Sequence, residues 1–215
     1  MTRAVLIVAA ALSACATTRA TRPTVVPALE PGTFTQPQVG PEWQGPSVET
    51  GEPVPVGGGQ SAVLMARRAG DRYEVALAVG RSDGPAALLS IASIDVAGSR
   101  REAVWSLSPF ALDGERLLRA DVRVFETVEP RFFAVKSVLV STVGEPTVVL
   151  DRLVESGDDV RDRRAAVAAR DIDGDGTVEL VVEESETGNP THRTLVYRRG
   201  ADGRFTTREP SLFSD

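Results

Sequence analysis

The feature that most constrains this chain is a recurring apolar run at period two, each time closed by a cluster of turn residues. In YEVALAV (73–79), Tyr73, Val75, Leu77 and Val79 fall on one face, because successive strand side chains point to opposite sides of a sheet. ADVRVFETV (120–128), FFAVKSVLVST (132–142), PTVVLDRLV (146–154), TVELVVEE (177–184) and RTLVYRR (193–199) carry similar β-branched enrichment. SDGP at 82, VGEP at 143, ETGNP at 186 and GADG at 200 separate the runs, with the residue types that tight turns demand. DDVRDRRAAVAA (158–169) is a candidate short helix, with Asp158 or Asp159 as its N-cap. The pattern predicts an all-β domain with at most one or two short helices. Aromatic residues make up only 5% of the chain, so its core must rest on Val, Leu, Ile and Ala. A net charge of −6 argues against a nucleic-acid partner, which needs a basic face to displace counterions.

The N-terminus reads differently. MTRAVLIVAAALSAC has a positive residue, Arg3, then an apolar stretch from Ala4 to Leu12. That stretch is far short of the roughly 20 residues of a membrane-spanning helix, so residues 1–14 are expected to be a secretory signal peptide. Leu12-Ser13-Ala14-Cys15 resembles the lipobox of bacterial lipoproteins. The resemblance implies cleavage before Cys15, a diacylglycerol on its thiol and usually a third acyl chain on its amine. Cys15 is also the only cysteine, which leaves no disulfide within one molecule and makes a bare thiol a liability in an oxidising compartment. The alternative is an ordinary signal peptide with a chance cysteine. Two or more acyl chains anchor a protein stably where one does not. Ala16 follows the cysteine; the resemblance implies a cell-envelope location, and the absence of Asp there favours the outer membrane.

Eight of the 14 prolines lie between Ala16 and Gln60, and Gly57-Gly58-Gly59 closes the stretch. Such composition predicts an extended, solvated tether over 15–60, reaching ~140 Å as polyproline II or ~40 Å as coil. Trp43 and Phe34 are the residues that could dock it as a partly ordered arm. The β domain is then expected over 61–215.

Within that domain, LLSIASIDVAGSRREAVWSL (88–107) can be laid against AAVAARDIDGDGTVELVVEE (165–184). Asp95 meets Asp171, Gly98 meets Gly174 and, after a one-residue deletion, Glu102 meets Glu179. ERLLRADVRVFETVEPRFF (115–133) and THRTLVYRRGADGRFTTRE (191–209) continue the parallel. Either two copies of one unit are present, at about 87–133 and 165–209, or two hairpin stretches are alike by chance. Asp171, Asp173, Gly174, Asp175, Gly176, Glu179, Leu180 and Phe205 resemble the FG-GAP or VCBS repeat, which forms propeller blades in integrins and in bacterial secreted proteins. Residues 61–215 hold about three blades of that size, and a propeller closes with four to eight. The expected architecture is therefore an antiparallel meander or sandwich of two such units, not a closed propeller.

The loop ARDIDGDGTVELVVEE (169–184) concentrates the chemistry. Counting Asp171 as position 1, carboxylates fall at 1, 3 and 5 (Asp171, Asp173, Asp175), the Thr177 backbone carbonyl at 7 and Glu179 at 9. A hard cation such as calcium takes six to eight oxygens at about 2.4 Å, and a tight loop can gather several. Position 12 is Val182, so an EF-hand, with its bidentate Glu there and an exiting helix, is excluded. A strand leaves instead. Structural calcium is expected, weakly bound at roughly 10⁻⁴–10⁻³ M because a second closing carboxylate is lacking; the alternative is an empty hairpin of Asx turns. Ala97 and Ser99 replace two aspartates in the first copy, so no metal is expected there.

Enzyme signatures are few. His192 is the one histidine, in the polar stretch TGNPTHR, with no G-x-S-x-G elbow before it. One histidine and one cysteine make zinc implausible. Neither phosphate-cradling glycine motif occurs. The charge run from Glu155 to Arg164 reads as a solvated face. The favoured expectation is a non-catalytic, membrane-anchored envelope lipoprotein, binding or assembling with an envelope protein or polysaccharide. The alternative is an envelope enzyme acting on a polysaccharide or similar substrate, through a carboxylate pair the sequence does not single out.

Overall fold

A computed structural model describes residues 36–96, 101–127, 132–158 and 161–213. Cys15 and Phe34 lie outside them. The domain is all-β, in two antiparallel sheets, neither of them a closed barrel or propeller.

The first sheet contains β1 (Val48–Thr50), β2 (Val54–Gly57), β3 (Gln60–Ala69), β4 (Arg72–Gly80) and β5 (Ala87–Asp95). β1 and β2 follow one another along the same edge of β3: Val48 is opposite Arg67, and Val54 is opposite Ala62. The second sheet is a meander in chain order: β6 (Arg101–Leu112), β7 (Glu115–Glu126), β8 (Phe133–Ser141), β9 (Thr147–Gly157), β10 (Asp162–Arg170), β11 (Glu179–Glu186), β12 (Asn189–Arg199) and β13 (Phe205–Thr206).

The period-two reading of β4 holds on both faces. Val75, Leu77 and Val79 pack with Ala62, Leu64 and Ala66 of β3 against Leu118, Ala120 and Val122 of β7 and Val138 and Val140 of β8. This is a sandwich core between the two sheets, supplied almost wholly by aliphatic residues. Ala76 and Ala78, with Val63 and Met65, point the other way and lie under Trp43, Val39, Val48 and Ala86. Burial on both faces is why AVLMA (62–66) in β3 is continuously apolar rather than alternating.

That packing corrects the tether. Residues 48–50 and 54–57 are sheet strands, and the 3-10 turn Pro41–Trp43 seals the outer face of the first sheet. The Arg67 guanidinium lies 4.5 Å from the Trp43 ring centroid. It also donates to the Glu42 carbonyl at 2.6 Å and pairs with Glu74 at 2.8 Å. One buried tryptophan and one stacked arginine hold the arm where proline content alone points to solvent.

A second core fills the back of the second sheet. Leu117 and Leu139, which face away from the first core, pack with Leu112, Val149, Leu150, Leu180 and Phe205. The sheet reaches its own back by curling. β7 and β12 are five strand positions apart, ~24 Å in a flat sheet, yet Arg199 Nη1 donates to Glu115 Oε2 at 2.6 Å. Two register shifts between β8 and β9 supply the extra local twist that bulges bring.

Three local expectations change. Residues 162–170 form strand β10 rather than a helix, because Ala165–Arg170 pair with Glu184–Glu179 and Asp162–Arg164 with Gly157–Glu155. The polar stretch containing His192 is mostly strand: only Thr187 and Gly188 turn, with Gly188 at φ 78°. The two proposed repeat units, at about 87–133 and 165–209, share only the antiparallel pairs β6–β7 and β11–β12, which the meander gives to any neighbouring strands. They differ at the first strand. β10 pairs with β11, whereas β5 pairs with β4 in the other sheet.

Candidate metal centre

The β10–β11 hairpin ends in a loop over 171–178, closed by the facing pair Arg170 and Glu179. Gly174 and Gly176 adopt φ 76° and 89°, a region that side-chain-bearing residues enter at a cost, and so let the loop fold in on its own carboxylates. Asp171 accepts from Gly174 N at 2.7 Å and from Gly176 N at 3.1 Å. Asp173 accepts from Asp175 N at 3.3 Å, and Asp175 from Thr177 N at 2.7 Å.

Of the five expected ligands, the fold brings Asp171, Asp173 and Glu179 together, each with a carboxylate oxygen within 4.8 Å of the others. Two oxygens bound to one calcium at about 2.4 Å are at most ~4.8 Å apart, so this spacing fits a shared ion. Asp175 lies outside the triad. Its exposed carboxyl faces Thr177, whose N–H and then hydroxyl hold it below its ordinary range, with the Arg198 charge adding to the effect. Thr177 is exposed and serves as that donor.

Glu179 is the informative member. It is 3% exposed, and among the described residues its polar partner is Ile172 N at 3.3 Å. Arg198 approaches Asp173 to 3.9 Å and Arg170 turns to Glu183 at 2.9 Å, so neither cation is paired with Glu179. A buried carboxylate is costly without a counter-charge. Like charges ~4.8 Å apart repel by ~3 kcal/mol per pair at an effective dielectric of 20, less where water screens Asp173. Carboxylate oxygens that already accept an N–H retain a lone pair for a cation. The donor set is all oxygen, which suits calcium and magnesium over softer metals.

A second constellation went unread in the sequence. Glu184 is 1% exposed and forms an ion pair with Arg152, whose side chain is 7% exposed. Glu184 Oε1 also accepts from Ser211 Oγ at 2.6 Å, and Oε2 from Leu212 N at 2.7 Å. Arg152 donates to Tyr197 Oη at 2.8 Å. The signal was present in TVELVVEE, because Glu184 continues the inward parity of Leu180 and Val182. His192 is exposed opposite Ser185 and joins neither constellation.

Comparison with family models, with curated proteins and with solved structures returns no match.

Proposed function

We propose that this chain is a non-catalytic binding or assembly module of the bacterial envelope, held at a membrane by lipid on Cys15 and stiffened by one calcium ion at Asp171, Asp173 and Glu179. The observation that carries the calcium reading is the convergence of those three carboxylates around a Glu179 buried to 3% exposure. The ion's role is structural: it joins the end of β10 to the start of β11 and relieves the repulsion within the loop. Asp175 and the Thr177 carbonyl are the remaining loop oxygens that could complete the shell. The anchor reading is supported by Leu12-Ser13-Ala14-Cys15 and by the absence of any second cysteine. An outer-membrane position and an envelope protein or polysaccharide as partner belong to the same proposal.

Thermal unfolding tests the ion. With a dissociation constant of roughly 10⁻⁴–10⁻³ M, 10 mM calcium stabilises by about 1.4–2.7 kcal/mol, or about 3–10 °C in Tm for a domain of this size. Asp173→Ala should abolish the rise. Identical melting curves in calcium and in chelator reject the site. For the anchor, Cys15→Ser should release the protein from sedimented membranes, and continued sedimentation rejects it.

A further inference from the structure

β6 ends the second sheet, and β1 and β2 end the first. Two cavities lie between these ends. One, of 260 Å³, is walled by Trp105 and Leu107 of β6, by Leu64 and by residues 51–54. The other, of 440 Å³, lies farther along β6, beside Glu102, Ala103 and Tyr73. Five residues of strand separate Glu102 from Leu107, a rise of ~17 Å. Tyr73 walls one cavity and Trp105 the other, both rings half-buried, with their centroids 5.8 Å apart.

Two polar groups of the smaller cavity are unspent. Trp105 Nε1–H and the Glu52 carboxylate have no polar partner among the described residues, although an indole N–H withdrawn from water ordinarily has one. Gly51 keeps the way to that N–H clear. A Cβ on it would stand 3.8 Å from Trp105 Nε1 and 3.4 Å from the Leu64 carbonyl. Its φ lies outside the left-handed region, so the backbone does not require glycine here; the space in front of the indole does. The nearby charges are already engaged. Glu49 accepts from the Tyr73 hydroxyl at 3.2 Å, and Arg101 pairs with Glu126 at 3.2 Å.

We propose that this opening binds a neutral oligosaccharide, with Trp105 and Tyr73 against the faces of its rings and the Trp105 N–H and Glu52 holding its hydroxyls. A sugar ring combines a C–H face, which the negative face of an aromatic ring attracts, with a rim of hydroxyls that both donate and accept. That matches two ring walls, one unspent donor and one unspent acceptor. An acyl chain would cover both polar groups without pairing them, at a cost, and an anion would meet Glu52 and Glu102. The inference rests on the binding-module reading and gives it a ligand class.

The test is titration calorimetry of the full chain with cellotetraose, maltotetraose and chitotetraose, and with decanoate as the acyl control. At least one sugar should bind in the millimolar range or tighter. Trp105→Phe keeps a ring beside Tyr73 but removes the N–H, and should weaken binding about 5-fold. Gly51→Leu fills the cavity and should weaken it roughly 10-fold or more. No binding of any of the three sugars by a chain with intact circular dichroism overturns the proposal. Binding that neither variant changes also overturns it, as does tighter binding of decanoate. Should Gly51→Leu not fold, Trp105→Phe decides alone. Chromatography of the sugar after incubation separates this inference from the broader reading: shortened sugar, with binding still weakened by the variants, upholds the site and overturns the non-catalytic reading.

Discussion

Arg152 and Glu184 form a buried pair whose energetics can be worked from their surroundings. Replacing Arg152 with Met leaves a carboxylate at 1% exposure with only the Ser211 hydroxyl and the Leu212 N–H as donors. Breaking one side of such a pair costs about 3–5 kcal/mol. At 2–4 °C per kcal/mol for a domain of this size, Tm should fall by roughly 10 °C. Glu184→Leu should cost a similar amount, because Arg152, 7% exposed, keeps only Tyr197 Oη as a side-chain acceptor. The double variant should lie closer to the unmodified protein than either single one does, since an aliphatic pair of similar volume packs beneath Leu212 without stranding a charge. The expected coupling energy in a denaturant-based double-mutant cycle is therefore at least 2 kcal/mol. Raising NaCl from 0.1 to 1 M should leave it almost unchanged, because buried pairs are poorly screened. Additive single losses, or losses under 1 kcal/mol each, would refute the reasoning.

Other sites make further predictions. Glu115 accepts from Arg199 and Ser141, and the Arg199 hydrogen bond holds its carboxyl below the ordinary glutamate value. A depressed folded value means that its stabilisation is present above the unfolded pKa and is lost as pH falls through the folded one. With Arg199 39% exposed, about 1 kcal/mol is expected after screening, and Arg199→Ala should flatten that acid limb of the urea-measured stability profile. A methyl group on Gly157 would come within 2.6 Å of Phe133 Cε1 and would also meet Asp162; Gly157→Ala should cost about 1–3 kcal/mol, and a Tm within 1 °C of the unmodified protein would contradict this. Trp43→Ala should cost about 3 kcal/mol and open residues 36–47 to limited proteolysis while the rest of the domain resists. An unaltered cleavage pattern would show that the arm does not depend on that ring.

Much of the fold was legible because alternation is a local property. β4, β7, β8, β9 and β11 overlap the β-branched runs that predict them, and the acidic residues 171–175 lie in the loop between β10 and β11. What failed depended on partners distant in sequence. Proline content marked residues 48–57 as tether, but their pairing with β3 and the capture of Trp43 by Arg67 are made across the fold. DDVRDRRAAVAA has little β-branching, and Ala-rich β10 is a strand because β9 and β11 flank it. At the loop, spacing named five ligands, whereas backbone N–H donors decide which carboxylates turn inward: those of Gly174 and Gly176 shape Asp171, and that of Thr177 draws Asp175 aside. The burial of Glu179 was invisible from its acidic neighbours.

The strict chain order of the second sheet bears on how the molecule reaches its native state. Each strand from β6 to β13 has only its sequence neighbours as ladder partners, so every pairing closes a short span, and such local assembly is fast for a β protein. The Glu115–Arg199 clasp, bridging 84 positions, can form only after that zipper has run its course. Weakening it should therefore leave the refolding rate nearly as it was and hasten the escape from the finished structure.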